Sequence, residues 1–280
     1  MRTIRKAVLA LTVVITSALL ISCTENAINK EVDGVSAELK NRFLDLGFDA
    51  SDMQAHTSKN PITGEVTQGY LLEKDMFIST SQLEEMSNSK VFHVGAVGEQ
   101  YRTTNLVSSP RTIRVLGYTG GSNALSTKMR TALQLAVDNY NALNMGLSFT
   151  LSFGTNTGAA EIVVYRVTGS AGGSAGFPSG GLPYKWVQIF SGTDSYSTSV
   201  VEHVMTHEMG HCLGLRHTDY FNRSLSCGSG GNEGTSGVGA IHIPGTPTGF
   251  DANSIMLACF SCSESGNFGS YDVTALEYLY

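Results

Sequence analysis

Apolar positions along this chain recur with different periods, and the period names the element. Thr112-Ile113-Arg114-Val115-Leu116-Gly117-Tyr118 alternates like a strand. Between Leu125 and Ala142, apolar residues stand at Met129, Ala132, Leu133, Ala136, Val137 and Tyr140. These are i, i+3, i+4, i+7, i+8 and i+11, one stripe of a helix. Residues 147–153, 160–167 and 185–190 read as further strands. Gly169 to Gly181, rich in Gly and Ser, reads as a loop. A helix is predicted over 198–213. A long Gly-rich stretch follows, then a short apolar run around Met256. The last helix is expected over 272–280, with Ser270 as its cap and Val273, Leu276 and Tyr280 facing the core.

Upstream of residue 95 the pattern is weaker. Ser36 to Leu46 predicts a short helix capped by Ser36, and Gly69 to Thr80 alternates as a strand. The start of the chain differs again. Arg2, Arg5 and Lys6 precede an almost wholly apolar run from Ala7 to Ile21, the layout of an export signal and too short for a comfortable membrane span. Leu20-Ile21-Ser22-Cys23 resembles a bacterial lipobox, which makes Cys23 the expected lipidated residue. An ordinary signal with an incidental cysteine is the alternative. Thr24 is not acidic, so an outer-membrane or cell-surface lipoprotein is expected, membrane-held through its acyl chains or released from there. The division follows: a signal over 1–22, an N-terminal segment over 23–95 that could be a propeptide, and a catalytic domain over 96–280.

Composition narrows the function classes. The formal net charge is −6, and without the three basic residues of the signal it is −9. No basic cluster exists, so nucleic acid is not an expected partner. Apart from Cys23 the chain has Cys212, Cys227, Cys259 and Cys262, an even number in an exported protein. Two disulfides are expected; sequence does not choose among the three possible pairings, and the favoured ones join Cys212 and Cys227 each to one of Cys259 and Cys262. A structural zinc site using Cys259-x-x-Cys262 is the rival reading.

The chemistry concentrates in His207-Glu208-Met209-Gly210-His211-Cys212-Leu213-Gly214-Leu215-Arg216-His217. On a helix, His207 and His211 lie on one face about 6 Å apart along the axis. Both can reach one metal ion, and Glu208, offset by about 100°, can reach a water beside it. On a continued helix His217 would face away. Gly214 lets the helix stop, because glycine takes the left-handed conformation at low cost. His217 can then return as the third ligand. H-E-x-x-H alone arises by chance in roughly one in a hundred chains of this length, but with G-x-x-H in about one in a hundred thousand. The longer motif therefore decides the reading: one catalytic Zn²⁺ held by His207, His211 and His217, with Glu208 as base. His203, four before His207, lacks a following Glu and is read as packing under the site. Asp219 is a candidate acceptor for an imidazole N–H.

The long motif resembles that of the metzincin clan of zinc metallopeptidases. Asn253-Ser254-Ile255-Met256-Leu257 is similar to the clan's methionine-containing turn, with Met256 as its methionine. Ala258 stands where some members carry a tyrosine. His217-Thr218-Asp219 and Gly245-Thr246-Pro247-Thr248-Gly249 resemble the bacterial dual-action HEIGH subgroup, with Met209 in place of its usual Ile. The resemblance implies an α+β, metzincin-like zincin fold. A mixed twisted sheet and two helices form its upper half, and a loop-rich lower half holds the methionine turn and a C-terminal helix. It implies an edge strand near 169–192 along which a peptide could lie. It also implies that an aspartate of the N-terminal segment, such as Asp49 or Asp75, could ligate the zinc, as in some metzincins. The expected protein is a monomeric, secreted zinc metalloendopeptidase acting on protein or peptide. The alternatives are a catalytically idle surface module for binding or adhesion, and hydrolysis of a non-peptide amide.

Overall fold

The computed structural model describes residues 35–46, 48–88, 100–229, 241–247 and 249–280. Cys23 and the export signal lie outside them. Ser36 accepts a hydrogen bond from the Leu39 N–H and caps helix α1 (Ala37–Asp45), as predicted. Strands β1 (Gln54–Lys59), β2 (Val66–Leu72) and β3 (Met76–Ser79) form an antiparallel meander, followed by α2 (Thr80–Asn88). The single strand expected over 69–80 is instead a hairpin. Its chain reverses at Glu73 and Lys74, whose φ angles are 52° and 78°. That left-handed pair forms the centre of a turn closed by Asp75 N–H to the Leu72 carbonyl at 3.3 Å, a conformation that Asn and Gly usually mark. Neither marks it here, so alternation alone ran through the turn.

From residue 111 to 213 the chain follows the predicted order, with one strand more: Gly173–Ser174 is paired within the stretch read as a loop, and Tyr101–Arg102 upstream was not predicted either. β4 (Tyr101–Arg102) leads to β5 (Arg111–Tyr118), α3 (Thr127–Asn141), β6 (Leu147–Gly154) and β7 (Ile162–Val167). Next come β8 (Gly173–Ser174), β9 (Trp186–Phe190) and α4 (Thr198–Leu213). The five-stranded sheet runs β6-β5-β7-β9-β8, parallel except for β8. All six stripe residues of α3 are buried against it. Each large one contributes about 1.5–3 kcal/mol of apolar burial. α4 packs on α3 and is buried from Val200 to Leu213. A helix enclosed on all sides with His, Glu and Thr along it must satisfy those groups internally.

The lower half holds α5 (Ser224–Cys227), β10 (Ile241–His242), which pairs with β4, and α6 (Ser270–Leu279). α6 starts two residues before the predicted helix. Gly269 holds the cap position and donates its N–H to Asp272 Oδ2, so Ser270 is not the cap. The expected cysteine pairing is met only in part. Cys227 and Cys259 form a disulfide, but Cys212 and Cys262 are free thiols. Cys212 lies on the core side of α4 and Cys262 is exposed, so burial separates them.

The N-terminal meander lies along the sheet edge. Met76 bridges Ala175 in parallel, Phe77 N–H donates to the Ala175 carbonyl at 2.8 Å, and Ala175 N–H donates to the Asp75 carbonyl at 3.1 Å. β3 thus takes the backbone positions just beyond β8. Phe177 anchors this contact by packing among Phe48, Leu72, Met76 and Ile78 of the N-terminal segment.

Candidate metal centre

Three devices bring three histidines to one point. The turns of α4 place His207 and His211 on one face. Gly214 then ends the helix at φ 104°, with Leu215 N–H reaching back to the Gly210 carbonyl at 3.0 Å. The exit strand is held straight by β4: Arg216 N–H donates to the Tyr101 carbonyl and Thr103 N–H to the Gly214 carbonyl. That delivers His217 to the other two. The ring centroids lie 4.7, 4.9 and 5.2 Å apart.

Each imidazole is oriented through its Nδ1. His207 donates to the Ile255 carbonyl at 2.8 Å, His211 to the Leu215 carbonyl at 2.9 Å and His217 to Glu73 Oε2 at 2.6 Å. A ring that donates from Nδ1 presents a lone pair at Nε2 when neutral. His207 Nε2 and His217 Nε2 then face each other at 3.3 Å, and His211 Nε2 is buried without a hydrogen-bond partner. Nitrogens about 2.0–2.1 Å from a tetrahedral zinc stand about 3.3 Å apart. The donor set and its converging lone pairs fit that ion.

A fourth group joins them. Asp75 Oδ2, at the hairpin tip, lies 3.1 Å from His217 Nε2 and 3.6 Å from His207 Nε2. Among the described residues, these four side chains form the one cluster able to hold a metal, with their ligand atoms within 4.8 Å of one another. Burial opposes charge on both Asp75 and His217. Their mutual attraction prevails, holding the Asp75 carboxyl well below and the His217 imidazole well above their ordinary values. Burial drives His211 strongly toward its neutral form, the form a metal ligand needs.

Glu208 stands beside this cluster, 2% exposed, with Oε2 lacking a hydrogen-bond partner. Burial, and then the charge on Asp75, raises its pKa well above the carboxylate norm. Gly173 of β8 lies against it; a Cβ there would sit 2.5 Å from Oε1. Met256 is fully buried beneath the helix, where a Cβ on Gly210 would meet its sulfur at 2.6 Å. Asp272 ties the turn together by accepting from Ile255 N–H, Gly269 N–H, Ser254 Oγ and Gln100 Nε2, each at 2.8 Å. The Ile255 peptide is therefore fixed at its N–H by Asp272 and orients His207 through its carbonyl.

The family model of the dual-action HEIGH metallo-peptidases matches residues 70–280 of this chain. The chain belongs to that family. Two solved structures of myroilysin are similar over 63% of this chain, at 14% and 15% identity, covering 82% and 86% of their own chains, each with a TM-score of 0.40. None of the curated proteins matches. The fold is the α+β, metzincin-like one that the motif implies. In this HEIGH metallo-peptidase, His207, His211, His217, Glu208 and Met256 come together as read from the sequence. His203 lies outside the cluster, bonded to the Ser265 carbonyl at 3.0 Å, and lines the cavity beside His207 and Glu208 instead of packing under the site. Asp219 is no imidazole acceptor: it accepts from Ala258 N–H and Ser226 Oγ, bracing the chain after Met256. Of the two aspartates named upstream, Asp75 reaches the histidines, whereas Asp49 pairs with Arg223. Sequence reading missed Glu73 and Asp272. Neither lies in a motif; only the folded chain brings Glu73 across 144 residues to His217.

A cavity of about 690 Å³ opens beside His207 and Glu208. Gly169 to Gly173, Phe190, Val204, Leu257 and Phe260 form its walls, and Glu73 to Asp75 lie at its edge.

Proposed function

We propose that this HEIGH metallo-peptidase is a zinc-dependent endopeptidase, exported and lipid-anchored at Cys23, that hydrolyses peptide bonds with Glu208 as base and acid. The observation that carries the reading is the set of three inward-facing imidazole nitrogens with a buried, unpartnered carboxylate beside them. Zinc held by His207, His211 and His217 would supply a Lewis acid and lower the pKa of a bound water. Glu208 accepts the proton of the attacking water and passes it to the leaving amine nitrogen. β8 offers the edge along which an extended peptide could pair, and the cavity beside Glu208 has room for a side chain.

The N-terminal segment fits a propeptide. β3 takes the edge next to β8, and Asp75 takes the position opposite the histidines that a water or substrate oxygen would need. In this reading residues 23–95 hold the site closed, with Asp75 as an additional zinc ligand.

Cleavage of a quenched generic peptide by the zinc-loaded protein tests the reading, with Glu208→Gln as control. The variant is expected to retain one equivalent of zinc and to lose cleavage by at least about a thousandfold, within the range for losing a key catalytic group. Equal cleavage by both proteins would remove Glu208 from the mechanism. Replacing His207 and His211 together should abolish zinc binding, read by metal analysis after dialysis.

A further inference from the structure

We infer that the cleft, once the hairpin leaves it, selects acidic side chains in its peptide substrate through Arg216 and Arg223. This rests on the proposal that the N-terminal segment closes the site and is displaced. Arg216 is 1% exposed, and its Nε, Nη1 and Nη2 have no hydrogen-bond partner. Its guanidinium lies 4.0 Å from the Phe48 ring centroid and 3.7 Å from Glu73 Oε1. Arg223 is bonded to the Asp49 carboxylate and, at 3.2 Å, to Asp52. Among the described residues, every carboxylate paired with these two arginines comes from positions 49–73. Phe48, which covers Arg216, belongs to the same segment.

Displacement therefore strips both guanidinium groups of their counter-charges beside the metal centre. It also removes the acceptor of His217 Nδ1, because one Glu73 carboxylate serves both His217, at 2.6 Å, and Arg216. A buried cation left without its partner is costly, and so is an imidazole N–H without an acceptor. An acidic side chain of the substrate at the place of Glu73 answers Arg216 and His217 together. The amide of the same shape offers one neutral oxygen and turns N–H donors toward other donors. A site built around paired polar groups discriminates strongly against a ligand that leaves them unmet. The hairpin is in this sense an internal copy of the preferred substrate, with Glu73 and Asp75 two residues apart at its tip.

The test uses the full chain with a specific protease sequence placed between residues 88 and 100, cut after folding and zinc loading. Peptide pairs differing only by Glu against Gln or Asp against Asn near the scissile bond are compared by kcat/KM. The acidic member is expected to win by at least about tenfold, as for hydrogen bonds to charged groups. Arg216→Gln should erase most of that preference, and Arg216→Lys, which keeps the charge, should retain part of it. Arg223→Gln should weaken the preference at a different peptide position. Calorimetric binding of the same peptides to the cut Glu208→Gln protein should show the same ranking without turnover. Cutting that raises cleavage of acidic and amide peptides alike overturns the acidic subsite and leaves the closed-site reading standing. Cutting that raises cleavage of no peptide overturns the closed-site reading, and the subsite with it.

Discussion

A methyl group on residue 173 would lie 2.5 Å from Glu208 Oε1 and 2.7 Å from its Cγ. Gly173→Ala must therefore push either the edge strand or the carboxylate out of place. Cleavage is expected to fall by about tenfold or more, since small displacements of a catalytic group are costly, while circular dichroism stays unchanged. Activity equal to the parent would show that the carboxylate works from another position. His203 carries a different prediction. Burial, then the neighbouring His207, lowers its pKa from 6.5 to about 4. The unfolded chain thus takes up a proton that the folded chain refuses. The stability contributed by neutral His203 is fully present above about pH 6.5 and is lost as the pH falls toward about 4. It amounts to as much as about 3 kcal/mol. His203→Asn should flatten the acid limb of a urea-midpoint profile over that window. An unchanged slope would assign the acid sensitivity elsewhere.

Elements carry the next set of consequences. The disulfide joins the end of α5 to the chain two residues after Leu257, across a sequence separation of 32. In the chain-entropy description such a loop is worth about 3–4 kcal/mol. Cys227→Ser with Cys259→Ser should lower the denaturant midpoint accordingly and loosen the turn around Met256. A midpoint within error of the parent would show that Asp219 and Asp272 hold that turn without it. Much of this scale could be read from the sequence. The stripe of α3 named its buried face and Gly214 fixed the end of α4, because period and backbone freedom are local properties, whereas β5 alternates in burial only as far as Val115, after which Leu116 and Gly117 are buried as well. The Glu73–Lys74 reversal was not legible, since both residues take a left-handed conformation that their types rarely signal. Nor were the acceptors of the imidazoles: two are backbone carbonyls, and the third comes from another part of the chain. Cysteine parity likewise counted thiols without knowing that Cys212 faces the core.

For the whole molecule, residues 48–79 lie against the metal centre, and the proposed closed state rests on that placement. Asp75→Ala in the full chain removes the group facing the histidines but leaves Glu73, Asp49 and Asp52 on their arginines. Basal peptide cleavage is expected to rise by about tenfold, with a smaller rise than cutting the chain produces. No rise would show that the carboxylate does not keep the site closed. The hairpin tip brings a side chain, not a peptide bond, to the histidines, while the backbone of Asp75 and Phe77 is tied to Ala175. Such a plug offers nothing at that point for its own active site to cut. Being on the same chain, it also competes at an effective concentration on the order of millimolar. On the closed-site proposal, micromolar substrate of similar intrinsic affinity is outcompeted by a carboxylate tethered at that level. The onset of activity would then be governed by the rate at which the connection is severed, and the amount of substrate present would have little say in it.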